Sequence, residues 1–113
     1  MNSEIKNGNF VYYKINEDLD EKLALFFYDD LNAYVSSKYF NYVIDISDNV
    51  SVESIKFFSL LLSLSTFCKH NKGNVIVVTK NGEINSLINA LKLEESFKVS
   101  DNIDKTLKSF SKK

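Results

Sequence analysis

The chain has 113 residues, 44% of them hydrophobic, enough for one compact core and too few for two ordinary domains, so 1–113 reads as a single domain with its core at about 9–110. Its 14 basic side chains are all lysines, set against 15 acids, which excludes the arginine-rich, phosphate-tracking groove of a nucleic-acid binder. The N-terminal stretch from Met1 to Lys6 lacks a signal peptide's apolar segment and no run reaches bilayer-spanning length, so a cytoplasmic protein with no direct membrane insertion is expected.

Asn7-Gly8 is a turn signal, and the aromatic and β-branched run from Asn9 to Ile15 that follows it predicts a first strand. Asp18 or Asp20 can cap a helix reaching about Ser36, because Leu23, Phe27, Leu31 and Tyr34 recur at helical spacing and acids crowd the first turn. Phe40 to Ile46 is nearly continuously apolar, which predicts a strand buried on both faces, as in a parallel sheet. A helix from about Glu53 to His70 follows, then Gly73 as its terminator and a third strand from Asn74 to Thr79. Asn81 caps a short helix with Ile84, Leu87, Ile88 and Leu91 on one face, and a weak strand lies at about Phe97 to Ser100. Asp101 with Asp104 resembles a capping box for a last helix facing Ile103, Leu107 and Phe110 inward. Strands alternating with helices imply an α/β fold with right-handed crossovers: a mainly parallel sheet of four to five strands and about four helices layered against it.

The helix from Glu53 to His70 is wider in its apolar face than one sheet contact requires. Lys56, Ser59, Ser63, Thr66 and His70 define a narrow polar strip. The spacing assigns Ile55, Phe58 and Leu62 to the sheet. It leaves Phe57, Leu60, Leu64 and Phe67 for a neighbouring helix or for an exposed patch awaiting a partner.

Chemistry-bearing residues are sparse. Cys68 is the sole cysteine and sits among apolar residues, which excludes an internal disulfide and a thiolate metal cage and reads as a core position. His70, the sole histidine, lies near a helix end without convergent partners. No Gly-rich phosphate loop, paired catalytic carboxylates or Cys–His–Asp order is present, so no enzyme, no metal and no cofactor is expected.

Four short motifs in the right order resemble those of the STAS domain, the fold of bacterial anti-sigma factor antagonists, over essentially Asn9 to Phe110. The family's G-x-L-D after its first long strand corresponds to Glu17-Asp18-Leu19-Asp20, which keeps the leucine and the aspartate and replaces the glycine. The strand of form V-x-N/D followed by an aspartate corresponds to Val43-Ile44-Asp45-Ile46-Ser47-Asp48, and the D-S-S-G-L that opens the next helix to Glu53-Ser54-Ile55-Lys56-Phe57. The glycine-containing strand entry corresponds to Lys72-Gly73-Asn74-Val75, and the last helix-ending G-L to Lys92-Leu93.

The resemblance implies a regulatory protein-interaction module in transcription control and signalling. Such proteins dock on a serine-kinase anti-sigma factor, or on other STAS chains, and are switched by phosphorylation of the second serine of D-S-S-G. That position here is Ile55, which has no hydroxyl, so the usual switch cannot operate. The docking and regulatory set the resemblance implies is Asp20, Asp48, Glu53, Ser54, Ile55 and Lys56. Ser54, and less directly Ser51, are alternative phosphate acceptors; the competing reading of Ser54 is a first-turn serine bonded to backbone N–H groups. Lys56 would pair with Glu53 or with a partner's acid. A homo-oligomer stays open, and the alternative reading is a soluble STAS accessory subunit of an ABC-type lipid or anion transport system.

Overall fold

The computed structural model describes residues 1–6 and 8–111, without the side chains of Phe110 and Ser111. Asn7 of the expected turn and the inward-facing Phe110 side chain therefore lie outside the described residues. In chain order the elements are β1 (Asn2–Lys6), β2 (Phe10–Ile15), α1 (Glu21–Ser36), β3 (Asn41–Ile46), α2 (Lys56–His70), β4 (Asn74–Val78), α3 (Gly82–Ala90), a 3₁₀ turn (Leu93–Glu95), β5 (Lys98–Ser100) and α4 (Ile103–Ser111).

The five strands lie side by side in chain order. β2 to β5 are parallel, each returned by a helix, and β1 runs antiparallel against β2. β1 is the strand without a sequence signal, since Asn-Ser-Glu-Ile-Lys has neither alternation nor an apolar run. An edge strand needs neither. β1 is held by its ladder and by Ser3, whose hydroxyl donates to Asp30 Oδ2 at 3.1 Å and lies 3.0 Å from the Tyr34 hydroxyl, both on α1. Tyr13 completes this tie by donating to the same Asp30 oxygen at 2.8 Å while its ring packs edge-on against Phe27.

Strand alternation divides the core in two. Val11, Tyr13 and Ile15, with Tyr42, Ile44, Ile46, Val75 and Val77, face α1, α2 and α3. Phe10, Val43, Ile76 and Val78 face the opposite way, toward Ile103 and Leu107 of α4. The expectation of a four-helix layer against the sheet is thus corrected: among the described residues, three helices cover one face and α4 covers the other. The continuous apolar run of β3 requires this arrangement, because side chains on both of its faces must leave water.

The helix ends also differ from expectation. The left-handed residue closing α2 is Lys72 (φ 62°), not Gly73. The Lys72 N–H reaches Lys69 O at 3.1 Å and the Gly73 N–H reaches Cys68 O at 2.7 Å, the two bonds of a Schellman cap. Gly73 is required for a different reason: a Cβ there would lie 1.8 Å from the Phe40 carbonyl oxygen. Lys38 after α1 and Lys92 after α3 occupy the same left-handed region. At α4 the cap is Asn102, whose Oδ1 accepts from Lys105 N at 2.9 Å, rather than Asp101. Leu91, expected on the buried stripe of α3, follows the helix end and is 46% exposed.

Candidate docking surface

Two loops at the strand ends are stitched together by backbone bonds. Leu19 N donates to Ser51 O at 2.8 Å, and the N–H groups of Glu53 and Ser54 both donate to Leu19 O, at 2.9 and 3.0 Å. Leu19 and Val52 form an isolated parallel bridge, and Leu19 is fully buried beneath it. Asp18 Oδ1 accepts from Ser51 N at 2.8 Å, and Glu83 Oε1 from Val52 N at 3.0 Å. These bonds hold residues 52–54 extended, so α2 begins at Lys56, three residues later than the sequence suggests.

Asn81 fixes the loop from the other side. It is 6% exposed, caps α3 by accepting from Ile84 N at 3.1 Å, and donates from Nδ2 to the carbonyls of Asp48 and Val50, each at 2.8 Å. One side chain thereby positions both the loop and the next helix. Sequence reading found its capping role and missed its second one, which has no local signature.

The turn this framework presents is Glu53-Ser54-Ile55-Lys56. Ser54 Oγ accepts from Lys56 N at 3.2 Å, satisfying one of the free N–H groups at the helix start. Ile55 occupies the N-cap position with no side-chain capping bond and is 59% exposed. Glu53 is exposed and within 3.3 Å of the Ser51 hydroxyl. Lys56 does not pair with Glu53: its Nζ lies 3.3 Å from Glu21 Oε1 of α1. Asp20 caps α1, accepting from Leu23 N at 2.8 Å, and so sits beside the stitched loops. Asp48 is exposed but lines a different hollow, of about 340 Å³, with Asp45, Lys80, Asp101 and Asp104. The set is therefore gathered at one end of the sheet, with Asp48 turned to a separate depression.

Beyond the turn, α1 and α2 pack through Phe27 and Phe57, with ring centroids 4.8 Å apart. They leave a groove of about 310 Å³ lined by Ala24, Leu25 and Tyr28 of α1 and by Ser59, Leu60 and Ser63 of α2, with the Glu21–Lys56 pair also on its lining. The apolar division of α2 meets one expectation and overturns another: Phe57 packs on a neighbouring helix, whereas two of the three residues assigned to the sheet are exposed. Phe57 and Leu64 are buried and Leu60 is half-buried, whereas Ile55 and Leu62, assigned to the sheet, are exposed; Phe58 is buried as expected and Phe67 is 39% exposed. Phe27 and the strands draw in the Phe57–Leu61–Leu64–Cys68 stripe, which turns Leu62 outward. The exposed apolar side chains of these two helices and their junction are Leu25, Phe26 and Tyr28 on α1 and Ile55, Leu62 and Phe67 at and along α2, so Phe67 is the member of the Phe57 set that reaches the surface.

Elsewhere, Asp45 accepts from the Tyr12 hydroxyl at 2.6 Å and lies 3.4 Å from Lys14 Nζ, on the α4 side of the sheet. Burial, and then this bond, push the Tyr12 phenol above its ordinary range. Cys68 is fully buried, and desolvation pushes its thiol up to about 12. His70 is exposed in the last turn of α2. Among the described residues no group of three or more His, Cys, Asp or Glu could hold a metal ion, and no helix is long and apolar enough to cross a membrane.

No protein-family model matches the sequence, and no curated protein does. Solved structures do match. The crystal structure of a candidate anti-sigma factor antagonist from Thermotoga maritima, TM1081, superposes with a TM-score of 0.81 over 96% of this chain and 92% of that one, at 14% identity. The solution structure of TM1081 gives a TM-score of 0.76 over 98% and 88%, at 15% identity. The chain thus has the STAS-like α/β fold of that protein, with its mostly parallel sheet and four helices.

Proposed function

We propose that this protein is a non-enzymatic regulatory module of the anti-sigma factor antagonist kind. It docks through the start of α2 and the adjoining α1–α2 groove on a protein partner, a serine-kinase anti-sigma factor or another STAS protein, in the cytoplasm. The observation that carries the reading is Ile55. A helix N-cap normally holds a hydroxyl, amide or carboxylate that accepts a backbone N–H, and a large apolar side chain there gives up about 1 kcal/mol of capping. At 59% exposure Ile55 recovers little of this by burial within the chain. Contact with a partner recovers it.

The same residue removes the usual phosphate acceptor, so docking is constitutive with respect to phosphorylation at that position. Ser54 is engaged in holding the helix start and serves as part of the docking surface, as do Asp20, Glu53 and Lys56, while Asp48 flanks them. No catalytic residue is assigned. The test is capture of the genomic neighbours' kinase-type regulator by the full chain, followed by the variants Ile55→Asp and Ile55→Ser. Ile55→Asp should weaken capture at least about tenfold, the cost of burying an unpaired carboxylate at an interface. With kinase and ATP, the natural chain should take no phosphate on residues 51–56, whereas Ile55→Ser should be phosphorylated. A phosphopeptide carrying modified Ser54 from the natural chain, or undiminished capture by Ile55→Asp, would overturn the reading.

A further inference from the structure

The near-zero net charge conceals a separation of charge along the strand axis. α1, α2 and α3 each return the chain beside parallel strands, so their starts share one end of the domain and their finishes share the other. The starting end carries Asp18, Asp20, Asp48, Glu53, Glu83 and Asp104, diluted by Lys22, Lys56, Lys80 and Lys105. The finishing end carries Lys38, Lys69, Lys72, Lys92 and Lys98, opposed by Glu94 and Glu95. Among the described residues, none of these five lysines has an ion-pair partner.

Three of the five adopt left-handed backbone, with φ of 65°, 62° and 56° at Lys38, Lys72 and Lys92. That region crowds Cβ against the following carbonyl, and glycine or asparagine is the usual occupant. Asparagine is abundant in this chain and appears at none of the three positions. A lysine also complements the negative helix end, but it does so equally from an unstrained site in the last turn, as Lys69 does. The strained placement therefore selects for charge on the end surface itself.

The geometry points to end-to-end self-association, in which the lysine end of one copy docks on the acidic end of the next. A second copy is the occupant because the chain carries both complementary surfaces, at opposite ends. The contact is heterologous, so it repeats into linear chains rather than closing as a two-fold dimer. Its charges are exposed, so it is weak and sensitive to salt. Its lysine half is remote from Ile55 and its acidic half includes Glu53, so a partner on the α2 start would cap such a chain.

Sedimentation velocity of the full chain tests this. In about 20 mM salt the average mass should rise above 13.0 kDa with concentration, and about 500 mM salt should weaken association roughly tenfold or more. The variant K38N/K72N/K92N removes three charges with a residue that fits the left-handed backbone. It should melt higher than the natural chain yet remain monomeric in low salt. K38E/K72E/K92E and D48K/E53K/D104K should each be monomeric alone and associate when mixed. A natural chain monomeric at every concentration in low salt would overturn the inference. So would association unchanged in K38N/K72N/K92N. Low-salt binding of the lysine end to phosphatidylserine vesicles or to RNA, with no self-association, would overturn it in favour of a different occupant.

Discussion

Asn81→Ala is expected to destabilise the domain by about 3 kcal/mol, although the residue touches none of the exposed side chains of the turn 53–56. The Asn81 carboxamide makes three bonds: it caps Ile84 N at 3.1 Å and donates to the Asp48 and Val50 carbonyls at 2.8 Å each. Loss of an N-cap costs about 1 kcal/mol, and each bond to a carbonyl shielded from water about 1 kcal/mol more. For a chain of this size 1 kcal/mol moves the melting point by roughly 4 °C, so Tm should fall by roughly 12 °C. Asn81→Asp keeps the acceptor for Ile84 and loses both donors, so its deficit should be at least about 2 kcal/mol. Urea unfolding followed by circular dichroism measures both. A deficit under about 1 kcal/mol for Asn81→Ala, or an Asn81→Asp protein as stable as the natural one, would refute the view that this amide ties the loop before α2 to α3.

Gly73→Ala should cost about 3 kcal/mol in the same assay, because its methyl group would meet the Phe40 backbone at 1.8 Å and neither segment can retreat without breaking a strand start. Lys56→Ala should change stability by less than about 0.5 kcal/mol, since both members of the Glu21 pair are mostly exposed. Cys68 should be silent to a thiol reagent at pH 8 in the native protein and react fully in urea, because burial holds its thiol at about 12. Burial also raises the phenols of Tyr12, Tyr13 and Tyr42. Groups whose folded values exceed their unfolded values of 9.0 and 10.0 contribute fully below those values and lose that contribution as pH rises through and beyond them. The melting point should therefore be level through about pH 8 and fall above about pH 9; a melting point rising across pH 10 would contradict this.

The strong elements were legible because their signals are local. The β3 and β4 runs are apolar enough to announce strands buried on both faces, and Asn81 and Asp20 announce helix starts by type and position. β1 was not legible. Its stability comes from a ladder to β2 and from Ser3 reaching α1 about thirty residues on, contacts that leave no period in a five-residue stretch. The single-layer expectation failed for a related reason. Alternation tells which side chains share a face, but it does not tell which face a terminal helix such as α4 will choose.

The turn before α2 shows how a long-range backbone bond redirects a local reading. Helical spacing alone starts α2 at Glu53 and sends Ile55 and Leu62 to the sheet, since nothing in 53–56 discourages helix. Leu19 O captures the N–H groups of both Glu53 and Ser54, and Asp18 and Glu83 take those of Ser51 and Val52. Residues 51–54 are thus tied to other segments, with Val52 in a parallel bridge to Leu19 that a helical turn would break. The first turn forms at Lys56, Phe57 swings into the core beside Phe27, and Ile55 is left at the surface. An isoleucine is exposed at a helix start because a leucine some thirty-five residues earlier holds the preceding strand straight. Weakening that hold with Asp18→Ala, at a cost of about 1 kcal/mol, should therefore loosen partner capture more than its stability loss predicts.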